Sequence, residues 1–120
     1  MTKVLVVEDD PLSMELVLEI VKALGFTADG AENGEEALRK TESEIYDLIL
    51  IDIGLPGMDG LEILKIIKSK PAYKNVPAVA LTSYAMKGDR ERFLEAGFDD
   101  YIAKPIDVPD FMKRMEKYNK

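Results

Sequence analysis

Short strand-like segments, of which the clearest are apolar throughout, alternate with amphipathic segments five times along this chain of 120 residues. The apolar segments are rich in β-branched residues, as in the stretches 4–7 and 48–51, which is typical of strands buried on both faces. Between them, apolar residues recur at helical spacing, as at Val17, Ile20, Val21 and Leu24. Strands that alternate with helices predict a parallel sheet that is covered by helices on both faces.

The pattern predicts a single α/β domain over residues 1–120 with five strand–helix units. We expect strands at 4–7, 26–31, 48–51, 76–81 and 100–103, and helices at 12–24, 33–44, 61–69, 87–96 and from 107 onwards. Asn33 with Glu36 forms a capping box, Asp107 caps the last helix, and Gly25 and Gly97 end two others. The natural candidate is the flavodoxin-like, doubly wound (βα)5 sheet with strand order 2-1-3-4-5.

Polar residues follow four of these strands at their carboxyl ends: Glu8 and Asp9, then Asp52, Thr82 and Lys104. Strands 1 and 3 are neighbours in this fold, so we expect three carboxylates to converge on one edge. Their repulsion would raise at least one pKa, and a hard cation such as Mg²⁺ would relieve it. A hydroxyl and an ammonium suit phosphoryl oxygens, and one carboxylate could be a nucleophile that forms an aspartyl phosphate.

Taken singly, each of these residues has an ordinary interpretation. The acidic triplet at 8–10 fits a solvated loop before a helix, Asp52 fits a turn cap, Thr82 a strand residue, Lys104 a surface lysine and Tyr101 a half-buried strand residue. The functional interpretation is favoured because four strand ends carry the residue types that one reaction needs.

The composition excludes several classes of function. The chain has no cysteine and no histidine, which removes disulfides, thiol chemistry and histidine-based catalysis. Its net charge of -7 argues against binding to nucleic acid and to anionic membranes. No apolar run approaches the roughly 20 residues of a membrane span, and the chain starts directly with a strand-like segment, so we expect a cytoplasmic protein without a signal peptide.

At these residues the sequence resembles the receiver domain of bacterial two-component response regulators, over nearly the whole chain. The matching motifs are Val6-Val7-Glu8-Asp9-Asp10, Leu50-Ile51-Asp52-Ile53-Gly54-Leu55-Pro56-Gly57-Met58-Asp59-Gly60, Leu81-Thr82-Ser83 and Lys104-Pro105. The segment 84–89 resembles stand-alone receivers of the DivK type and receivers attached to hybrid histidine kinases.

The resemblance implies how the site would bind its cofactor. Asp52 would be the phosphoacceptor. Mg²⁺ would be held by Asp9 directly, by Glu8 through water, by Asp52, and by the backbone carbonyl of Gly54. Asp10 would either support the acid pair or begin the first helix.

It also implies a switch. Thr82 would supply the hydroxyl that moves toward the phosphoryl group, Lys104 would bind phosphoryl oxygens, and Tyr101 would be the aromatic residue that turns inward on activation. The bond between Lys104 and Pro105 would be cis. Gly54 and Tyr84 would tune the rate at which the protein hydrolyses its own phosphoryl group.

The implied partners are a histidine kinase or histidine phosphotransfer protein as donor and a downstream protein as target. No DNA-binding segment follows the last helix, so we expect output through protein binding or a phosphorelay, from a protein that is a monomer when unphosphorylated. An excised receiver domain would end in the same way. We expect a phosphoacceptor with self-catalysed phosphorylation and dephosphorylation, not an enzyme with its own substrate.

The first helix has a wider apolar arc than one core face needs, because Leu12, Met14 and Leu18 extend it. This indicates either a wide buried face or a docking surface, with equal weight. We favour Leu12 and Met14, together with Pro105 and Ile106, as contacts for the kinase.

Two other functions fit part of the pattern. A Mg²⁺-dependent phosphatase of the aspartyl-phosphate type requires a second acid two residues after the nucleophile. Gly54 occupies this position, so the general acid is missing. An adaptor that works without phosphorylation usually lacks the acid pair, the acceptor or the lysine, and all of them are present.

Overall fold

A five-stranded parallel sheet organises the protein, in the order β2-β1-β3-β4-β5. The computed structural model describes residues 2–55, 57, 59–82 and 89–118. The strands are β1 (Lys3–Val7), β2 (Thr27–Ala31), β3 (Leu48–Asp52), β4 (Ala78–Thr82) and β5 (Asp100–Ala103), and the helices are α1 (Pro11–Ala23), α2 (Gly34–Ser43), α3 (Gly60–Lys68), α4 (Asp89–Glu95) and α5 (Val108–Glu116). A 3-10 turn at Pro71–Tyr73 precedes β4. The predicted fold class and strand order are confirmed.

Some predicted features fall on other residues. Pro56 in the turn after β3, Ser83 and Tyr84 after β4, and the predicted start of the fourth helix at 87 lie outside the described residues. In the part of the chain that is described, no helix has both the length and the apolar character that a membrane span requires.

Each face of the sheet has its own apolar core, because successive strand residues point to opposite faces. One core joins strand residues such as Leu5 and Ile49 to α2, α3 and α4, where Phe93 is fully buried. The other joins strand residues such as Leu50 to α1 and α5, where Phe111 is fully buried. The central strands β3 and β4 are therefore buried along their whole length, and their polar residues, Asp52 and Thr82, stand at their carboxyl ends.

The helix caps follow the prediction in part. The Asn33 carboxamide oxygen accepts a hydrogen bond from the Glu36 N–H at 2.9 Å, and an Asp107 carboxylate oxygen accepts from the Asp110 N–H at 3.1 Å. The capping box is wrong in one detail, because the Glu36 carboxylate accepts from the Glu32 N–H at 2.8 Å. The Glu36 side chain therefore bonds to the residue before the N-cap and not to the N–H of Asn33, although Asn33 has the extended backbone of an N-cap.

Two strands begin later than predicted, for a shared reason. The Phe26 N–H donates to the Val21 carbonyl and closes α1, so β2 starts at Thr27. The Val76 N–H donates to the Tyr73 carbonyl and closes the 3-10 turn, and Pro77 has no N–H to give. In both places a local turn takes the backbone group that a strand would need.

β3 and β4 each extend one residue further than predicted, through Asp52 and Thr82. Asp52 is in register with Leu81, and Thr82 with Ala103. Both polar residues are therefore held within the sheet and not on loops, which fixes the direction of their side chains.

Gly60, the first residue of α3, lies against the end of β3. A β-carbon placed on Gly60 would come within 2.9 Å of the Asp52 carbonyl oxygen and 3.0 Å of the Ile53 α-carbon. Both contacts are to backbone, which cannot rotate away. The close approach of α3 to β3 therefore requires a residue without a side chain at this position.

We predict that Gly60→Ala lowers the free energy of unfolding by about 1–3 kcal/mol, because the added methyl group must displace the backbone of β3. Urea denaturation would measure it. Gly54→Ala is the matched control, since a β-carbon there has Asp52 Oδ1 at 3.8 Å as its nearest neighbour. Equal unfolding midpoints for the two variants would contradict the prediction.

Candidate functional site

Three acidic side chains meet at the carboxyl edge of the sheet. Glu8 and Asp9 directly follow β1, and Asp52 ends β3, the neighbouring strand. One carboxylate oxygen from each of the three lies within 4.8 Å of the others. The convergence that the strand order predicted is therefore present.

The three acids differ in exposure. Glu8 is fully buried, Asp52 retains 8% of its surface, and Asp9 is exposed. The Glu8 carboxylate also accepts a hydrogen bond from the Asp9 N–H at 3.1 Å. Glu8 therefore forms the floor of the site, whereas Asp9 forms its rim and can rearrange around a ligand.

Lys104 joins the acids from the opposite end of the sequence. Its Nζ donates to a Glu8 carboxylate oxygen and, at 3.1 Å, to Asp52 Oδ2. Lys104 directly follows β5, and its own N–H donates to the Thr82 carbonyl at 2.8 Å. The peptide bond between Lys104 and Pro105 is cis.

The other oxygen of Asp52 is held by the backbone. The Gly54 N–H donates to Asp52 Oδ1 at 3.0 Å, so both carboxylate oxygens have a partner on the protein. These two contacts fix the orientation of the carboxylate. Thr82, fully buried at the end of β4, lies on the strand next to Asp52.

The pKa values follow from this arrangement. Burial raises the pKa of Glu8 to about 7, with a further contribution from Asp52 and an opposing one from Lys104. Burial also acts on Asp52, but hydrogen bonds with Glu8, Gly54 and Lys104 outweigh it and hold the pKa of Asp52 below its usual range. For Lys104, contact with the two carboxylates outweighs burial and raises the pKa. Asp52 is thus the more acidic member of the buried acid pair.

The donor set suits a divalent cation. Three carboxylates face a single ammonium in the described part of the site, which leaves an excess of negative charge. Hard oxygen ligands of this kind, with one acid exposed and movable, fit a small cation that keeps some of its waters. The residues at this edge therefore fit the magnesium ion that the sequence implied.

Two other predicted residues, Tyr101 and Asp10, make contacts outside the acid cluster. Tyr101 is partly buried, and its ring centroid lies 6.1 Å from that of Phe93 on α4. Asp10 is not in the acid cluster, because its carboxylate accepts from the N–H and the hydroxyl of Ser13 and so caps α1. Of the two interpretations of Asp10, the structure supports the start of the helix.

The four candidate docking residues differ in accessibility. Leu12 is 77% exposed and Pro105 is also exposed. Met14 and Ile106 are partly buried against the core that involves α1 and α5. Leu18 also packs on that core. The wide apolar arc of α1 is therefore in part a buried face, at Met14 and Leu18, and in part an exposed surface, at Leu12.

Two features were missed at the sequence level. Leu16 is a second exposed apolar residue on α1, and its spacing of four from Leu12 was the available signal. A groove of about 280 Å³ also adjoins the acids, lined by Gly30, Glu32 and Glu36 beside Glu8 and Asp9. It depends on how α1 and α2 meet the end of β2, which no local pattern encodes.

Comparison with known proteins gives a consistent result. The sequence matches the family described as response regulator receiver domain over residues 4–116. The polar-differentiation response regulator DivK of Brucella anthropi is 41% identical over 115 residues, which cover 96% of this chain and 94% of that protein.

Two solved structures are similar in fold. The chemotaxis response regulator CheY4 of Vibrio cholerae superposes with a TM-score of 0.92 at 26% identity, and the match covers 99% of each chain. The receiver domain of the sensor histidine kinase PA1611 from Pseudomonas aeruginosa, which has a magnesium ion coordinated in its active site cleft, has a TM-score of 0.87 at 33% identity and covers 98% of this chain and 96% of that one.

We predict that MgCl2 raises the thermal unfolding midpoint of the protein, since a ligand at 100 times its Kd stabilises the folded state by about 2.7 kcal/mol. Asp9→Asn should remove this increase, and should itself stabilise the metal-free protein because it removes one of three converging charges. Differential scanning fluorimetry would measure both effects.

The control for this prediction is Asp10→Asn. It makes the same change of charge at the adjacent residue, and an asparagine at this position retains the ability to cap α1. Its midpoint should rise with MgCl2 as in the wild type. Loss of the response in both variants, or in neither, would contradict the assignment of Asp9.

Proposed function

Because this chain belongs to the response regulator receiver domain family, we propose that it accepts a phosphoryl group on Asp52 from a phosphohistidine of a partner protein and signals through the change that follows. The observation that carries the proposal is the position of Lys104, whose ammonium contacts both Glu8 and Asp52. A cation beside an ionised nucleophile and a cluster of acids is the arrangement that phosphoryl transfer requires.

The proposed step is an in-line displacement. An oxygen of the Asp52 carboxylate attacks the phosphorus, the bond from phosphorus to the histidine nitrogen breaks, and its electron pair leaves with the imidazole. Lys104 would transfer its hydrogen bond from Asp52 Oδ2 to an oxygen of the incoming phosphoryl group, because its Nζ already lies 3.1 Å from the carboxylate that attacks. The Gly54 N–H holds Asp52 Oδ1 in position meanwhile.

Glu8, Asp9, Asp52 and the backbone carbonyl of Gly54 would hold Mg²⁺, as the magnesium in the PA1611 receiver supports. When bound, the ion would neutralise charge on the phosphoryl oxygens. Asp9 is the ligand that can adjust, because it is exposed, whereas Glu8 is fixed by burial.

The signal would arise from Thr82 and Tyr101. A phosphoryl group on Asp52 would attract the hydroxyl of Thr82, on the neighbouring strand. The movement would alter the space available to Tyr101, whose ring packs on Phe93 of α4. Two conformations would be present throughout, and phosphorylation would change their populations.

The donor would dock on the surface that surrounds the site. Leu12 and Pro105 offer exposed apolar contacts, and Met14 and Ile106 would add the parts of their side chains that are not buried against the core. A histidine kinase or phosphotransfer protein would need such a contact, because its histidine must reach an aspartate of which only 8% is exposed.

We predict that incubation with acetyl phosphate and MgCl2 adds the mass of one phosphoryl group, because Asp52 is oriented and ionised. Intact mass spectrometry would detect it. Asp52→Asn should show no gain, since the carboxamide is a poor nucleophile, and omission of the metal should greatly slow the gain. A gain in the Asn variant, or none in the wild type, would refute Asp52 as the acceptor.

We also predict that Leu12→Ala slows transfer from a phosphorylated histidine phosphotransfer protein by roughly tenfold, as truncation of an interface anchor does. Rapid-quench kinetics would measure the rate. The rate with acetyl phosphate should be unchanged, because that donor needs no docking surface.

The matched control is Ile45→Ala. Ile45 is 59% exposed and precedes β3, so it lies at the opposite edge of the sheet from Asp52. Its transfer rate should equal that of the wild type. Equal rates for the Leu12 and Ile45 variants would remove Leu12 from the docking surface.

A further inference from the structure

β5 is the last strand of the sheet, and a groove of about 440 Å³ runs along it. One wall of the groove is the strand itself, at Tyr101 and Ala103, and the other is formed by α5 and its N-cap, at Asp107, Asp110 and Arg114. The mechanism proposed for Asp52 uses none of the groups on the α5 wall. A strand edge beside an open groove can pair with another extended chain.

The backbone of Tyr101 faces this groove. In a parallel strand, the residues that bond to one neighbour alternate with those that face the other side. The Lys104 N–H donates to the Thr82 carbonyl of β4, so Tyr101, three residues earlier, is in the opposite phase. Ala103 shares the phase of Tyr101, and its backbone groups face the same edge.

Side chains occupy the hydrogen-bonding positions of Tyr101 in the free protein. Its N–H donates to Asp100 Oδ1 at 2.8 Å, and its carbonyl accepts from Arg114 Nη1 at 3.4 Å. The second bond is long for a hydrogen bond and therefore weak. Arg114 thus covers the strand edge without holding it tightly.

Arg114 is held in the groove by two carboxylates. Nη1 lies 3.0 and 2.9 Å from the two oxygens of Asp100, and Nε lies 2.9 Å from Asp110. The Arg114 side chain is 40% exposed, and ion pairs at such an exposed position contribute little to stability because solvent screens them. Another cation could therefore displace Arg114 at little cost.

The charge of the groove selects the occupant. Three carboxylates, those of Asp100, Asp107 and Asp110, face one guanidinium among the described residues that line it. The whole chain carries a net charge of -7, which adds to the attraction for a cation. A helix could not bond to the backbone groups of Tyr101 and Ala103, because its own backbone groups are bonded within the helix, whereas an extended chain could pair with them.

We propose that the open edge of β5 binds an extended, basic segment of a partner protein as an added strand, and that Arg114 occupies this place in the free protein. The backbone of the segment bonds to Tyr101 and Ala103, and one of its basic side chains replaces Arg114 on Asp100. The inference goes beyond the proposed function, because binding requires no phosphoryl group on Asp52.

The first test uses wild-type protein and a blocked peptide in which valine and lysine alternate. Amide NMR shifts should change most at Tyr101 and Ala103. A peptide with the same charge but with N-methyl groups at alternate positions should not bind, because it cannot form the strand bonds. Shifts located elsewhere, or equal binding of the methylated peptide, would overturn the proposal.

The second test measures the affinity of the same peptide, labelled with fluorescein, by anisotropy. Arg114→Gln should bind it roughly three- to tenfold more tightly, as expected when one competing hydrogen bond and its charge are removed. Lys113→Gln, the matched control, removes the same charge from the adjacent exposed residue and should leave the affinity close to that of the wild type.

Two results of the second test would overturn the proposal. One is an Arg114→Gln variant that binds no more tightly than Lys113→Gln, since Arg114 would then not be a competitor for the site. The other is self-association of Arg114→Gln without peptide, detected by analytical ultracentrifugation, since the edge would then receive a second copy of the chain.

Discussion

Glu8 and Asp52 are acids buried side by side, and the site depends on how their repulsion is compensated. In the described structure the ammonium of Lys104 contacts both of them. One positive charge cannot balance two buried carboxylates and the adjacent Asp9. The site therefore has an excess of negative charge. A divalent cation would neutralise this excess before phosphorylation. The cation and the Lys104 ammonium can then stabilise the charge of a phosphoryl group during its transfer.

The fold explains why residues so distant in sequence can share this task. Parallel strands all bring their carboxyl ends to one edge, and the order β2-β1-β3-β4-β5 places β3, with Asp52, between β1 and β4. Asp52 and Thr82 lie within the ladder, which makes their positions as rigid as the sheet. The requirement for glycine at position 60 has the same origin, because α3 starts against the backbone of Asp52.

The strands, the helices and the convergence of Glu8, Asp9, Asp52 and Lys104 could be predicted because each depends on a local pattern and on one rule of topology. Other properties depend on distant contacts. The sequence does not distinguish the buried Glu8 from the exposed Asp9, and it does not show that Met14 packs inward while Leu12 faces solvent.

Two further features of the structure could not be predicted from the sequence. The start of β4 was misplaced because the 3-10 turn takes the Val76 N–H, a competition that hydrophobic pattern does not report. The contact of Arg114 with β5 joins two elements through side chains, and nothing in the spacing of charges on α5 indicates it. Packing and side-chain pairing between elements therefore marked the limit of what the sequence predicted.

We propose that Asp52 is the acceptor and that Lys104 moves to the group that Asp52 receives. A crystal structure of the protein with Mg²⁺ and beryllofluoride, a mimic of the phosphoryl group, tests it most directly. Beryllium should be bonded to a carboxylate oxygen of Asp52, and Lys104 Nζ should lie within hydrogen-bonding distance of a fluorine. An unmodified Asp52, with beryllofluoride bound elsewhere and Lys104 still on both carboxylates, would contradict it.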